Sequence, residues 1–189
     1  MTCAAPKDQQ RCIIEFDQPD MEIGPVVYTL HCTKKLIDRG KFTVATNSQP
    51  STTALGNWYA TALFWKPQAA LLVNERTLVP VLIPLAPAAT LAARFSDELA
   101  TILAMHGVNQ KFITSELAAM SEVSVAKTAN RSVVGTMNEI AFLAERYREH
   151  METADLLALS MRLADTPCGA IKYNSPDRLL KELIGTTTI

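Results

Sequence analysis

The chain has 189 residues, 48% of them hydrophobic and 20% charged, with 18 Lys and Arg set against 19 Asp and Glu for a formal net charge of -1. This is the composition of a folded globular domain near the top of the single-domain size range, and it excludes a disordered or fibrous chain. Near-zero net charge also removes the global field that would draw the protein to nucleic acid or anionic lipid.

The four cysteines, Cys3, Cys12, Cys32 and Cys168, form no C-x-x-C pair. They are read as reduced thiols of a cytoplasmic protein rather than a disulfide framework or a zinc site. Residues 1–24 carry Pro6, Pro19 and scattered charge with no apolar core of a signal peptide. They are expected to be a poorly ordered N-terminal extension, with Met21 as a possible natural start and residues 25–189 as one domain. The longest apolar run, Ala69 to Val73, is far too short to cross a bilayer, so no membrane is expected.

Val26 to Cys32 is rich in β-branched and aromatic residues and reads as a buried strand. Thr33 to Arg39 reads as a short helix or turn closed by Gly40, Lys41 to Thr46 as a short strand, and Asn47 to Thr53 as a loop. Leu55 to Trp65 is expected to be a helix, because Trp58, Ala62 and Trp65 fall at i, i+4 and i+7. Ala70–Val73 and Leu78–Ile83 flank the polar turn Asn74–Thr77 and predict a β-hairpin. Pro80 lacks a backbone donor and puts the second strand at an edge or a bulge.

Pro87 opens a helix to about His106 with Leu91, Phe95, Leu99 and Ile102 as its buried stripe, and Gly107 stops it. A shorter helix is expected over Gln110 to Met120 and a strand over Glu122 to Lys127. Thr136 and Glu139 have capping-box spacing and introduce a long helical stretch through Ile140, Leu143, Tyr147, Met151 and Ala154, with a possible bend near His150. Gly169 to Tyr173 reads as a last strand. Ser175-Pro176-Asp177 starts a C-terminal helix with a capping serine, a proline at the first helical position and an acid in the first turn. The fold class is therefore α+β: a small mixed or antiparallel sheet including a β-hairpin, packed against several helices, with a mostly helical C-terminal half.

No phosphate-binding Gly-rich loop, H-E-x-x-H or G-x-S-x-G is present. His31, His106 and His150 are too dispersed to suggest a metal site, and neither a metal nor a cofactor is expected. Three polar clusters remain. In His31-Cys32-Thr33-Lys34-Lys35, a thiol lies beside basic groups at a strand end, but His31 and Cys32 point to opposite faces and cannot form a base–nucleophile dyad. In Asn57-Trp58-Tyr59 the aromatics are either a ligand wall or core. The loop Thr128 to Asn138 joins a strand to a helix N-terminus and is the best small-anion candidate. Asn130, Arg131, Ser132 and Asn138 would act there, unless Arg131 merely pairs with an acid such as Glu75.

The segments His31-Cys32-Thr33-Lys34-Lys35-Leu36, Leu55-Gly56-Asn57-Trp58-Tyr59-Ala60, Val73-Asn74-Glu75-Arg76-Thr77-Leu78 and Asn130-Arg131-Ser132-Val133-Val134-Gly135-Thr136-Met137-Asn138 together resemble a family of small bacterial proteins. That family is catalogued only as a domain of unknown function. The resemblance runs from about Val26 to about Ile184, and the stretch before Met21 departs from the family's usual start. It supplies no activity to carry over. It implies only that the polar clusters come together. The expectation is a binding or regulatory module for a protein partner or small anion. The alternatives are an enzyme of unrecognised type around Arg131, Asn57 and His31, and a nucleic-acid binder, which the charge disfavours.

Overall fold

The computed structural model describes residues 27–45, 51–151 and 155–187. The expectations for residues 1–24, for Thr46 to Pro50 and for Ala154 lie outside the described residues.

Five strands form one mixed sheet in the order β4-β3-β2-β1-β5. Strand β1 (Val27–Cys32) is an interior strand and pairs in parallel with both β2 (Trp58–Leu63) and β5 (Glu122–Lys127). Strands β2, β3 (Ala69–Asn74) and β4 (Pro80–Pro84) run as an antiparallel meander. Strands β1, β2, β4 and β5 therefore point the same way, and their ends define two distinct ends of the sheet. The fold is α+β with a largely helical C-terminal half.

Both faces of the sheet are covered. Tyr28, Leu30 and Cys32 of β1, Trp58, Ala60 and Ala62 of β2, and Val81 and Ile83 of β4 pack against one set of helices. These are α1 (Lys34–Gly40), α2 (Leu91–Met105), α3 (Gln110–Ala118) and α6 (Pro176–Thr187), through Leu36, Phe95, Leu99, Ile113 and Leu180. The alternate residues, including Tyr59, Leu63, Leu71, Val73 and Leu82, pack against α4 (Arg131–Glu149) and α5 (Leu156–Asp165) through Met137, Ile140, Ala144 and Leu159. Burial of such apolar area, at roughly 25 cal/mol per Å², is what drives the layers together.

The expected strand β1, the hairpin, the α2 stripe and the C-terminal helix are all present, and β4 lies at the sheet edge as Pro80 required. Its outward N–H at Leu82 donates to the Ser160 hydroxyl of α5 at 2.9 Å, which blunts the edge against a foreign strand.

Five expectations are corrected. Trp58 to Leu63 is a strand, not part of a helix over Leu55 to Trp65. Trp58 and Trp65 consequently belong to opposite layers instead of packing one helix onto the sheet. Lys41 to Ala45 is an irregular segment whose tie to the sheet is the Ala45 N–H on the Val125 carbonyl at 2.8 Å. Thr136 is no cap: it lies inside α4, its hydroxyl donating to the Ser132 carbonyl, while Asn130 caps the helix by accepting from the Ser132 and Val133 N–H groups. The helical stretch ends at Glu149 rather than bending, and α5 restarts with Asp155 accepting from Leu157 and Ala158. Finally, Gly169 to Ile171 is a single 3₁₀ turn, and Lys172 and Tyr173 follow at φ 55° and 61°, a left-handed pair that no strand accommodates.

Candidate functional site

The chain leaves β1 toward α1 on one face and leaves β5 toward α4 on the other. Adjacent parallel strands whose connections depart to opposite faces open a crevice at their C-terminal ends, the place where sheets of this kind ordinarily bind ligands. His31 sits at that place. Its Nδ1 lies 3.0 Å from the Lys127 carbonyl oxygen, bridging β1 to β5. A carbonyl only accepts, so Nδ1 carries a proton and donates to it. The ring is 7% exposed, stacks on Tyr59 at 4.6 Å, and makes no other hydrogen bond among the described residues.

Tyr59 ties the crevice to α4. Its hydroxyl oxygen accepts from the Asn130 N–H at 3.1 Å. Burial raises the phenol above its ordinary value and the nearby Glu75 charge adds to this, against the Asn130 and Ala129 amides. Thr33 and Thr61 share a hydroxyl–hydroxyl hydrogen bond of 3.0 Å beside it. Around this core stand exposed cations. Lys34 pairs with Asp38 at 2.7 Å, with both groups well solvated. Lys35 lies 6.0 Å from the ring of the exposed Phe64. Arg131, in the first turn of α4, is exposed and makes no ion pair or hydrogen bond with a described residue, so the alternative of an Arg131–Glu75 pair is overturned.

Of the ten candidate residues, His31, Lys34, Lys35, Asn130, Arg131 and Ser132 thus lie at this one end, contributed by β1, α1 and the start of α4. The other four do not join them. Trp58 is 1% exposed and packs edge-on against Phe95 at 4.9 Å, which makes it core. Asn57 is at the opposite end of β2, its Oδ1 accepting from the Thr29 N–H and its carbonyl from Glu75. Glu75 is there too, and only its charge reaches the Tyr59 hydroxyl. Asn138 is exposed two turns into α4.

Cys32, beside His31 in sequence, faces the other layer, where burial pushes its thiol up to about 12. That is no nucleophile. Three participants went unread in the sequence, namely Tyr59 as a bridge and the Thr33–Thr61 pair. The signal for Tyr59 was available: once residues 58–63 are a strand, it lies directly beside His31 in register.

Residues 29–179 match the family described as Domain of unknown function (DUF6933). No curated protein and no solved structure matches the chain.

Proposed function

The chain belongs to that family, and we propose that it is a small bacterial, cytoplasmic binding module that takes a small anionic ligand in the crevice between β1 and β5. The observation that carries this reading is the buried His31, anchored by Nδ1 to the Lys127 carbonyl at the point where the two strand connections diverge. An anion there would meet the unpaired Arg131 guanidinium, a planar fork suited to a carboxylate or phosphate. Lys34 and Lys35 add charge from the other face. Ser132 offers a hydroxyl at the same turn. The cytoplasmic assignment is supported by the free thiols of Cys32 and Cys168. No described helix is long and apolar enough to cross a membrane.

A second reading has one specific observation behind it. His31 Nε2, which makes no hydrogen bond with a described residue while Nδ1 holds the ring on the Lys127 carbonyl, is placed for acid–base chemistry at the same crevice. Both readings are tested by thermal-shift titration with phosphate, nucleotides and carboxylates. An anion at a hundred times its Kd stabilises by roughly 2.7 kcal/mol. That shift disappears in Arg131→Ala if the crevice is the site. A wild type that responds to none of the panel, or an Arg131→Ala protein that responds equally, sinks the proposal.

A further inference from the structure

A second cavity, of about 450 Å³, opens at the same end of the sheet on the side of β2 and β4. That volume suits a small organic ligand. Its walls come from Trp65 and Lys66 after β2, Leu82 of β4, Glu98 of α2, Arg148 near the end of α4, and Leu156 at the start of α5. The Arg148 guanidinium lies 4.9 Å from the Trp65 ring, and its Nε is buried. It makes no hydrogen bond or ion pair with a described residue. A buried guanidinium donor left without an acceptor is costly, and an arginine already stacked on an indole loses little freedom when an anion arrives. Its planar edge is the shape a carboxylate matches with two parallel hydrogen bonds.

The remaining lining selects the class of ligand. Lys66 and Arg148 supply two positive charges, Glu98 and Asp155 two negative ones, and none of the four is ion-paired with another among the described residues. Asp155 is committed to capping α5. Such a balanced wall accepts one negative charge beside Arg148 and repels a second near Glu98, which disfavours phosphates and dicarboxylates. Leu82, Pro84, Leu156 and Leu157 make most of the remaining wall apolar, and the one further polar side chain, Gln68, accepts from Arg39 Nε.

We propose that this cavity binds an apolar monocarboxylate, its carboxylate on the Arg148 guanidinium and its hydrocarbon body against Leu82, Pro84 and Leu156. The site is separate from the β1–β5 crevice and does not depend on it.

The test uses the full-length ¹⁵N-labelled protein. The chain has two tryptophans, so two indole N–H signals are seen, and Trp65→Phe assigns them. Sodium hexanoate, sodium benzoate and inorganic phosphate are titrated separately. At least one carboxylate should move the Trp65 signal saturably and leave the core Trp58 signal in place, while phosphate moves neither. Arg148→Met weakens that binding at least tenfold. Arg148→Lys keeps a cation and a long stem beside Trp65, weakens it as well, and serves where Arg148→Met does not fold. Arg131→Ala leaves it unchanged, which separates this site from the crevice. The proposal is overturned if neither carboxylate moves the Trp65 signal at millimolar concentration, if phosphate moves it as strongly, if both Arg148 variants bind as wild type does, or if Arg131→Ala abolishes the response.

Discussion

The two ends of the sheet are built on opposite plans. Where β1, β2 and β4 begin, polar side chains are consumed by the backbone. The Asn74 amide, fully buried, donates to the Leu55 and Asn57 carbonyls, and its oxygen accepts from the Arg76 N–H, the Thr77 N–H and the Thr77 hydroxyl. Glu116 of α3 spans the Ala54 and Leu55 amides with its two oxygens at 2.8 and 3.0 Å. Arg76 closes the loop on the Ala54 carbonyl. A cavity of about 460 Å³ lies there too, but the Glu116 carboxylate on its wall is already spent. Where the same strands end, His31 Nε2, Arg131 and Arg148 make no hydrogen bond with a described residue. One end is knotted, and the other keeps polar groups without a partner among the described residues. Motifs of equal prominence in the sequence therefore have different causes: Leu55-Gly56-Asn57 and Asn74-Glu75-Arg76-Thr77 hold loops, whereas His31 to Lys35 and Asn130 to Ser132 surround a crevice.

The sharpest break of that comparison is Asn74→Ala. It strands several buried partners at once, each costing about 1–3 kcal/mol when unsatisfied, and it releases the turn that holds Leu78 at φ 60°, a conformation a bulky residue adopts only under constraint. Urea denaturation should show a loss of about 3–4 kcal/mol. Should His31→Ala or Arg131→Ala cost as much, the two ends are not different in kind.

Glu116→Gln is next, at about 1–2 kcal/mol near neutral pH, because the amide nitrogen of glutamine cannot accept from a backbone N–H. Its pH dependence is the more telling measurement. Burial raises the Glu116 carboxyl above its ordinary 4.5, against the Leu55 and Ala54 amides, the Thr53 hydroxyl and the Arg76 charge. A group raised on folding contributes stability that is fully present below its unfolded value and is lost as pH rises through the folded one. Wild type should therefore lose stability upward from about pH 4.5. The glutamine variant should be flatter over the same range. Parallel curves would mean that Glu116 is not desolvated in solution.

Asp177 tests the same end with the opposite sign. It takes His106 Nδ1 at 2.7 Å on one oxygen and Lys181 at 2.8 Å on the other. Burial would raise its carboxyl, but the Lys181 and His106 hydrogen bonds and charges outweigh it and hold the group below 3.8. Its stabilisation is present above that value and lost as pH falls through the folded one. Asp177→Asn should cost about 1 kcal/mol at neutral pH and remove the acid-side loss, read from thermal melts between pH 2 and 5. An unaltered acid limb would show that the pair contributes nothing.

How far these ends were legible in the sequence depends on the range of the signal. Strand β1 declared itself through Val27, Tyr28 and Thr29, local residues with strand preference. Strand β2 did not. All six of its residues are buried, so no polar alternation marks it, and Trp58, Ala62 and Trp65 coincide with a helical period by chance. Gly56, which the sequence reading places inside that helix, sits at φ 80°, where a Cβ would approach Arg76 Cδ at 3.2 Å. Arg148 gave no local sign. On an amphipathic helix it reads like any solvent-facing charge, and only the arrival of Trp65 from a distant loop turns it into a cavity wall.

The smallest expected effect on stability decides the most about function. Arg131 is exposed at the first turn of α4, where a positive charge opposes the helix dipole. Arg131→Ala should change stability by less than about 0.5 kcal/mol, and in the stabilising direction if anything. A site kept for binding shows this signature: removal is neutral or favourable to the apo protein and destructive to the anion response. If Arg131→Ala instead destabilises the protein in the absence of any anion, the guanidinium is part of the fold. The open end of the sheet would then shrink to His31 and the Arg148 cavity, and the crevice would lose the cation on which its anion reading most depends.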